Sequence, residues 1–198
     1  RKTVEEITDK IVRNCLRMDK IVKNLLTLSD AENLPLSRLA SYSLLSILNR
    51  CENLVKAVYS DADISYQNKL SGSDIIIADA DLLELAFHNL IENAAKYSPD
   101  PAKITVFIEE NSDRFFIRIA DEGKGIPPQD IDHIFERFYT VNKAHSRKLG
   151  GSGLGLSLVQ TIIEKHQGQI SVSSELEKGT TFQIQLPKEI VSPSLLEE

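Results

Sequence analysis

The sequence D-E-G-K-G-I-P at residues 121–127 directly follows R-F-F-I-R-I-A, an alternating run at residues 114–120. Alternation of this kind predicts a half-buried strand, so Asp121 stands at a strand end and Gly123 and Gly125 open a turn. Glycines at alternate positions allow a flat ligand to approach the backbone, and a carboxylate in a strand-end crevice can accept a hydrogen bond from an exocyclic amino group. Taken alone, such a motif is more often an ordinary turn. Other stretches therefore have to decide its meaning.

The composition is that of a globular chain, with 198 residues, 41% hydrophobic content and a formal net charge of -6. The negative balance argues against a general nucleic-acid binder. One segment is nevertheless cationic and contains no Asp or Glu, which suits it to face an anion; its charged residues are Arg137, Lys143, Arg147 and Lys148. No run of about eighteen apolar residues and no signal peptide occur. The sequence predicts a cytoplasmic segment without membrane contact of its own.

Residues 1–29 predict one long amphipathic helix, because apolar residues recur in two seven-residue series. The series are Val4, Ile11, Met18 and Leu25, and Ile7, Asn14, Ile21 and Leu28; the polar Asn14 at a core-type position would cost stability and could fix the register. The apolar stripe is broader than a two-stranded seam, which favours a helical bundle formed by two copies of the chain. Packing against the globular part of the same chain is the alternative. The helix is expected to end near residues 29–30, and N-L-P at residues 33–35 reads as a joint between two bodies.

The remaining sequence predicts a mixture of helices and strands, followed by a polar tail after Pro187. Helices are predicted at 43–58, 81–97 and 154–166, and strands at 64–70, 74–78, 103–109, 115–119, 169–174 and 180–186.

The predicted helix at 81–97 carries polar residues beside its apolar face. Asn89 and Asn93 are one turn apart, and Lys96 and Tyr97 follow on the next turn. Two asparagines with satisfied hydrogen bonds are the structural explanation. The functional explanation is an edge for metal and phosphate, in which the amide oxygen of Asn93 coordinates a hard cation and Lys96 meets phosphate oxygens.

A glycine-rich stretch, G-G-S-G-L-G-L-S at residues 150–157, leads into the last predicted helix. Gly151, Gly153 and Gly155 alternate around Leu154, where that helix is predicted to begin. Such an entry presents free backbone N–H groups and the positive end of the helix dipole, which together favour phosphate. The spacing is not G-x-G-x-x-G, and no strand immediately precedes it, so a dinucleotide-binding loop is not predicted.

Five ordered stretches resemble the N, G1, F, G2 and G3 boxes of the catalytic ATP-binding domain of sensor histidine kinases. They are N-L-I-E-N-A-A-K-Y-S, D-E-G-K-G-I-P, I-F-E-R-F-Y, G-G-S-G-L-G-L-S and G-T-T-F. These kinases belong to a wider group that includes gyrase and mismatch-repair ATPases. The resemblance covers about residues 36–187, and residues 1–34 are similar to the second helix of the dimerisation and histidine-phosphotransfer domain.

This resemblance implies an α+β fold, a two-layer α/β sandwich of the Bergerat type. A mixed sheet would carry three helices on one face, with one long bundle helix before it. The implied domains are a partial dimerisation domain at 1–34, a catalytic ATP-binding domain at 35–188 and a tail at 189–198.

The resemblance also implies site residues and the cofactors ATP and Mg²⁺. Asp121 would accept a hydrogen bond from the adenine amino group, and Asn93 would hold Mg²⁺. Phe135 and Phe138 would anchor a mobile lid. The full implied ATP-binding set is Asn89, Asn93, Lys96, Tyr97, Asp121, Gly123, Gly125, Arg137, Lys143, Arg147, Lys148, Gly151, Gly153, Leu154, Gly155 and Thr180. Within it, Asn89 and Lys96 would contact phosphates and Thr180 would help to close the base pocket.

Two features depart from the family pattern. Many relatives continue the F box as F-Y-R, whereas Thr140 follows Tyr139 here. One of the cationic residues between positions 137 and 148 would have to replace that arginine. None of the four histidines heads an H-[ED]-x-x-[TN]-P box; they are His88, His133, His145 and His166. We expect the phospho-accepting histidine and the sensor to lie before Arg1.

The implied function is transfer of the γ-phosphoryl group of ATP to that upstream histidine, for relay to a response regulator. A homodimer through the N-terminal helix is implied, and the full-length protein could be anchored in a membrane. A gyrase-like ATPase clamp is one alternative, but it would need a general-base Glu where this chain has Asn89. A pseudo-kinase docking module is the other, and the intact glycines and Asn93 argue against it. Nucleotide titration and the steady-state ATPase rate separate the three.

Overall fold

The structure is a computed structural model that describes residues 2–141 and 152–190. Its helices are α1 (Lys2–Glu32), α2 (Leu44–Val58), α3 (Ala80–Tyr97), α4 (Pro128–Ile131) and α5 (Gly155–Lys165), with a 3-10 turn at Leu36–Arg38. Its strands are β1 (Ala40–Ser43), β2 (Asp63–Asn68), β3 (Ile75–Ala78), β4 (Lys103–Glu110), β5 (Arg114–Asp121), β6 (Gln169–Glu175) and β7 (Gly179–Pro187).

The central element is a five-stranded mixed sheet with the strand order β2-β4-β5-β7-β6. The β2–β4 pair is parallel and the other pairs are antiparallel. Ile108, Ile117 and Ile184 lie opposite one another on neighbouring strands and are at most 1% exposed. Arg118 and Gln183 occupy the other face, so the strands bury one face only. Helices α2, α3 and α5 form the layer on that buried face. The predicted α+β sandwich with three helices on one face is therefore confirmed.

Two strand predictions differ from the structure. Strand β1 was not predicted; it pairs antiparallel with β3 in a separate two-stranded sheet, with Ala40 opposite Ala78. It is short and largely exposed, so it gives no clear alternation. The strand predicted at 64–70 ends at Asn68, because the Asn68 side chain accepts a hydrogen bond from the N–H of Leu70 and turns the chain.

Helix α1 continues past its predicted end at residues 29–30. It ends at Glu32, since Leu28 and Ala31 are buried, at 3% and 0% exposure, where α1 contacts α5. The end of α1 therefore packs against the globular part of its own chain. Most of the apolar stripe is exposed, including Val4, Ile7, Ile11, Val12, Leu16, Met18, Val22, Leu25 and Leu26. The bundle between two copies remains a prediction. Among the described residues no helix combines the length and the apolar character that crossing a membrane requires.

A buried histidine joins the end of α5 to the start of α3. His166 is 1% exposed; its Nδ1–H donates to the carbonyl of Ile162 at 2.8 Å, and its Nε2 accepts from the N–H of Asp79 at 3.1 Å. Asp79 in turn caps α3 by accepting from the N–H of Leu82. The ring must be neutral to accept at Nε2, and burial lowers the pKa of His166 below its usual value.

We expect this histidine to make the fold less stable in mild acid. The unfolded chain protonates His166 near pH 6.5 whereas the folded chain keeps it neutral. Its contribution to stability is therefore complete above that pH and is lost as the pH falls towards the lower folded pKa. Urea unfolding between about pH 5 and 8 measures the loss. His166→Gln should flatten the profile, whereas His133→Gln should make the loss in acid steeper, because the pair with Glu136 raises the pKa of the exposed His133 and so stabilises the fold at low pH. A variant at position 166 with the wild-type profile would contradict this.

Candidate functional site

One cavity of about 400 Å³ brings together residues from separate parts of the chain. Its walls come from α3, the turn after β5, the turn between β6 and β7, the start of α5 and one face of α1. The predicted site residues that line it are Asn89, Asn93, Lys96, Tyr97, Asp121, Gly125, Gly153, Gly155 and Thr180. A concave site with convergent polar groups is the usual form of a small-molecule site.

Asp121 ends β5 and lies at one end of the cavity. Its Oδ1 accepts hydrogen bonds from the N–H groups of Gly123 at 2.8 Å and Thr180 at 3.2 Å. Burial raises the pKa of Asp121, and these two donors oppose that rise. Within the described parts of the chain Oδ1 takes both bonds of this carboxylate, so Oδ2 is available to a ligand.

A chain of hydroxyl groups sets a second acceptor beside Asp121. Ser174 Oγ accepts from the N–H of Ile126 at 2.8 Å and lies 2.9 Å from the carbonyl oxygen of Gly179. A carbonyl can only accept, so the Ser174 hydroxyl donates its proton there. Thr180 Oγ1, 2.9 Å from Ser174 Oγ, must then donate to Ser174. The remaining lone pairs of Thr180 make it an acceptor in the cavity, where an amino group would satisfy both it and Asp121.

The glycines after Asp121 are required by close approach of the chain to itself. Gly125 has a φ of +69°, and a Cβ there would lie 2.2 Å from the carbonyl oxygen of Glu175. A Cβ at Gly123 would lie 2.7 Å from Asp121 Oδ1. Gly125 lines the cavity and Gly123 does not. The alternating glycines are therefore needed mainly for the close packing of this turn, and of the two only Gly125 presents its backbone to a ligand.

Amide oxygens mark the opposite end of the cavity. Asn89 Nδ2 donates to the carbonyl of Leu85 at 2.8 Å, which leaves Asn89 Oδ1 towards the start of α5. A Cβ on Gly155 would lie 2.9 Å from that oxygen. The side chain of Asn93, one turn further along, has no hydrogen-bond partner among the described residues. Two amide oxygens on one helix face fit a hard cation such as Mg²⁺, which takes oxygen ligands.

Lys96 extends this polar face by a further turn of α3. Burial lowers its pKa, the nearby Lys20 lowers it further, and Glu92 acts in the opposite direction. Its Nζ lies 5.5 Å from the centre of the Tyr97 ring. A partly desolvated ammonium group of this kind is well suited to bind phosphate oxygens.

The start of α5 completes the same end. Gly155 and Leu156 line the cavity, and no side chain among the described residues caps this helix terminus. Its first N–H groups therefore remain for an anion. Leu154 is 1% exposed and does not line the cavity; its N–H donates to Ser152 Oγ at 3.3 Å.

Some predicted site residues lie elsewhere. Arg137 does not line the cavity, because its guanidinium is paired with Glu32 at the end of α1. The Phe138 side chain is 57% exposed. Its contact with Gly153 is through the backbone, where the Phe138 N–H donates to the Gly153 carbonyl oxygen at 2.8 Å. Phe135 packs edge-on against Phe182. The predicted residues Lys143, Arg147, Lys148 and Gly151 lie outside the described residues.

Sequence reasoning missed several residues of the cavity. Glu92 shares the helical spacing of Asn89 and Asn93, so that spacing was a usable signal. No sequence pattern indicated that Lys20 and Asn24 of α1 would line the cavity, because they are far in sequence from the other residues that line it.

Comparisons with known proteins identify the family of this chain. The profile described as histidine kinase-, DNA gyrase B-, and HSP90-like ATPase matches residues 78–190. The sensor protein SrrB of Staphylococcus aureus strain MRSA252 is 33% identical over 174 residues, which are 87% of this chain and 30% of that protein. The N315 strain's SrrB is 32% identical over 187 residues, 93% of this chain and 32% of that protein. The chain thus spans about a third of the length of these relatives.

Two solved structures of histidine kinases have a similar fold. A mycobacterial sensor histidine kinase, MprB, superposes with a TM-score of 0.67 at 28% identity, over 77% of this chain and 99% of the other. The histidine kinase AdeS of Acinetobacter baumannii gives a TM-score of 0.70 at 24% identity, over 91% of this chain and 83% of its own. The second comparison bears on the fold alone.

Proposed function

Because this chain belongs to the histidine kinase-, DNA gyrase B- and HSP90-like ATPase family, we propose that its cavity binds Mg-ATP for phosphoryl transfer to a histidine. The chain would be the catalytic ATP-binding part of a sensor histidine kinase, which passes the phosphoryl group to a response regulator. The observation that supports this most directly is one cavity with acceptors for an amino group at one end and groups for metal and phosphate at the other.

The base end supports adenine as the nucleobase. Asp121 Oδ2 and the lone pairs of Thr180 both accept hydrogen bonds, and the exocyclic amino group of adenine carries two N–H donors. A purine with an oxo group at that position would place a third acceptor against them. An unpaired acceptor in a buried site is unfavourable, so the cavity should prefer adenine to guanine nucleotides.

The other end supports a triphosphate with its magnesium ion. Asn93 would hold Mg²⁺, with the oxygen of Asn89 beside it, and Lys96 and the first N–H groups of α5 would bind phosphate oxygens. The ion would neutralise charge on the transferred group. In phosphoryl transfer, positioning and charge stabilisation supply most of the catalysis. Asn93, Asn89, Lys96 and the start of α5 would position the triphosphate and stabilise its charge.

Transfer to a protein histidine, rather than rapid hydrolysis, is the activity proposed. The position at which gyrase-type enzymes carry a general base holds Asn89, whose Nδ2 donates within its own helix. Glu92 is the carboxylate nearest to it on this helix face, and it is ion-paired with Lys20. None of the described histidines, His88, His133 and His166, lines the cavity.

We further propose that α1 belongs to a dimerisation domain, in keeping with domain limits at 1–34, 35–188 and 189–198. The exposed apolar side chains of α1 would be covered by the helices of a four-helix bundle. The acceptor histidine would lie on a neighbouring helix of that bundle. The cytoplasm, which holds ATP and response regulators, is the proposed location of this domain.

Radiolabel transfer tests the function. The chain is incubated with γ-labelled ATP and a polypeptide that carries a histidine-bearing helix able to form the bundle with α1. We expect label on that polypeptide as a phosphoramidate, which is stable to base and labile to acid. EDTA or Asn93→Ala should remove most of it, because positioning of the γ-phosphate by the ion is lost.

Three results would contradict the proposal. Acid-labile label on the chain's own histidines would place the acceptor within this sequence. Rapid ATP hydrolysis without labelling would favour the gyrase-like clamp. Absence of nucleotide binding would favour a docking module.

A further inference from the structure

Helix α1 supplies part of the wall of the nucleotide cavity. Lys20 and Asn24, one turn apart, both line it. Lys20 Nζ lies 3.7 Å from Glu92 Oε2 on α3, and Asn24 Nδ2 lies 3.4 Å from Ser152 Oγ just before α5. One face of α1 therefore contacts both α3 and the segment that leads into α5.

Buried contacts fix this position of α1. Leu28 and Ala31, two to three turns beyond Lys20, are at most 3% exposed where α1 meets α5. Glu32 at the end of the helix pairs with Arg137. The position of Lys20 thus follows from packing of the whole helix end, and a single surface ion pair does not determine it.

Few cationic side chains in the described part of the chain are available to bind phosphate at the end of the cavity that holds Asn89 and Asn93, and Lys20 is one of them. Among the described residues the cationic side chains that line the cavity are Lys20, Lys96 and Lys124. The backbone of Lys124 lies at the base end, where its carbonyl accepts from the N–H of Glu177 in the turn between β6 and β7 and its N–H donates to the carbonyl of Tyr97 at the end of α3. Lys20 and Lys96 therefore remain for the phosphates. They are close enough for Lys20 to depress the pKa of Lys96, after the larger effect of burial.

Among the described residues that line this end of the cavity, Glu92 is the carboxylate that faces these two ammonium groups. Glu92 is 3.7 Å from Lys20 and also acts on Lys96. The end of the cavity is left with a positive excess that an anion would neutralise. Thr140 also lines the cavity and offers no charge.

We propose that Lys20 of α1 binds the terminal phosphate of ATP. When the nucleotide is a triphosphate, the Lys20 ammonium group moves from its partner Glu92 to an oxygen of that phosphate. This rests on the proposed function, since it assumes that ATP occupies the cavity with its base at Asp121. ADP lacks the group that Lys20 binds, so Lys20 returns to Glu92. Helix α1 thereby contacts the nucleotide differently when two or three phosphates are present. By thermodynamic linkage, a shift of α1 changes the affinity of the cavity for ATP more than its affinity for ADP.

Calorimetric titration of four proteins with ATP and ADP tests this. Lys20→Gln should weaken ATP about 5- to 10-fold and ADP less than about 2-fold, because a half-exposed charge pair is partly screened by solvent. Lys20→Arg should retain most of the preference for ATP. The matched control is Lys23→Gln, a lysine of the same helix that pairs with Asp19 on the exposed side and does not line the cavity; it should change neither affinity.

The outcomes separate this inference from the proposed function. If the wild-type chain binds neither nucleotide, both fail. If it binds both, and Lys20→Gln weakens them equally or not at all, the role of Lys20 is wrong and the nucleotide site stands. An equal loss in Lys20→Gln and Lys23→Gln would show a general effect of helix charge and would also overturn the inference.

Discussion

Replacing Asp121 with asparagine is expected to weaken ATP binding about 10- to 150-fold, which corresponds to about 1.5–3 kcal/mol. Oδ1 accepts from two backbone N–H groups, those of Gly123 and Thr180. An asparagine must keep its oxygen at that position, because its NH₂ group would oppose both donors. The NH₂ group then takes the place of Oδ2 and meets the amino group of adenine. The substitution thus exchanges a charged acceptor for a donor at the point where the base is read.

Calorimetric titration of the wild-type chain and Asp121→Asn with Mg-ATP measures this loss. The same variant should bind an oxo-purine triphosphate relatively better, since a donor now faces the oxo group. Asp113→Asn is the matched control, because Asp113 lies in the exposed turn between β4 and β5 and outside the cavity. Equal affinities of the wild type and Asp121→Asn for ATP would refute the assignment of the base end.

Replacing Gly179 with alanine is expected to destabilise the fold by about 3 kcal/mol or more. Gly179 has a φ of +119°, which side-chain-bearing residues rarely adopt, and a Cβ there would lie 1.9 Å from the carbonyl oxygen of Asp121. The obstacle is backbone at the end of a central strand, so it cannot rotate away. Relief requires β7 to separate from the turn that follows β5. The base end of the cavity would change with it.

Urea denaturation of Gly179→Ala at constant pH gives the change in stability. Gly72→Ala is the control, because its backbone φ is ordinary and a Cβ there would lie 3.3 Å from Glu110 Oε1, a tight contact that a shift of a few tenths of an ångström relieves. We expect the control to change stability by less than about 1 kcal/mol. If the two substitutions changed the free energy of unfolding by similar amounts, the close approach of Gly179 to the backbone of Asp121 would not be the reason for a glycine at position 179.

Local sequence patterns were sufficient for most of the fold. The alternation at residues 114–120 predicted β5 and placed Asp121 at its end, because period-two burial is a property of a single strand. The spacing of Asn89, Asn93 and Lys96 predicted a shared face of α3 for the same kind of reason. Where the local pattern was weak, as in the short exposed strand β1, the prediction failed.

Tertiary structure decided what each group in the cavity does. Ser174 sets the direction of the Thr180 hydroxyl only because β6, β7 and the turn after β5 meet there. Arg137 was predicted to serve phosphate, yet the end of α1 brings Glu32 to it. Lys20 reaches the cavity because Leu28 and other apolar residues dock α1 on α5. Sequence periodicity reports which side of one element is buried, whereas these partners come from different elements whose relative placement follows from packing of the whole core.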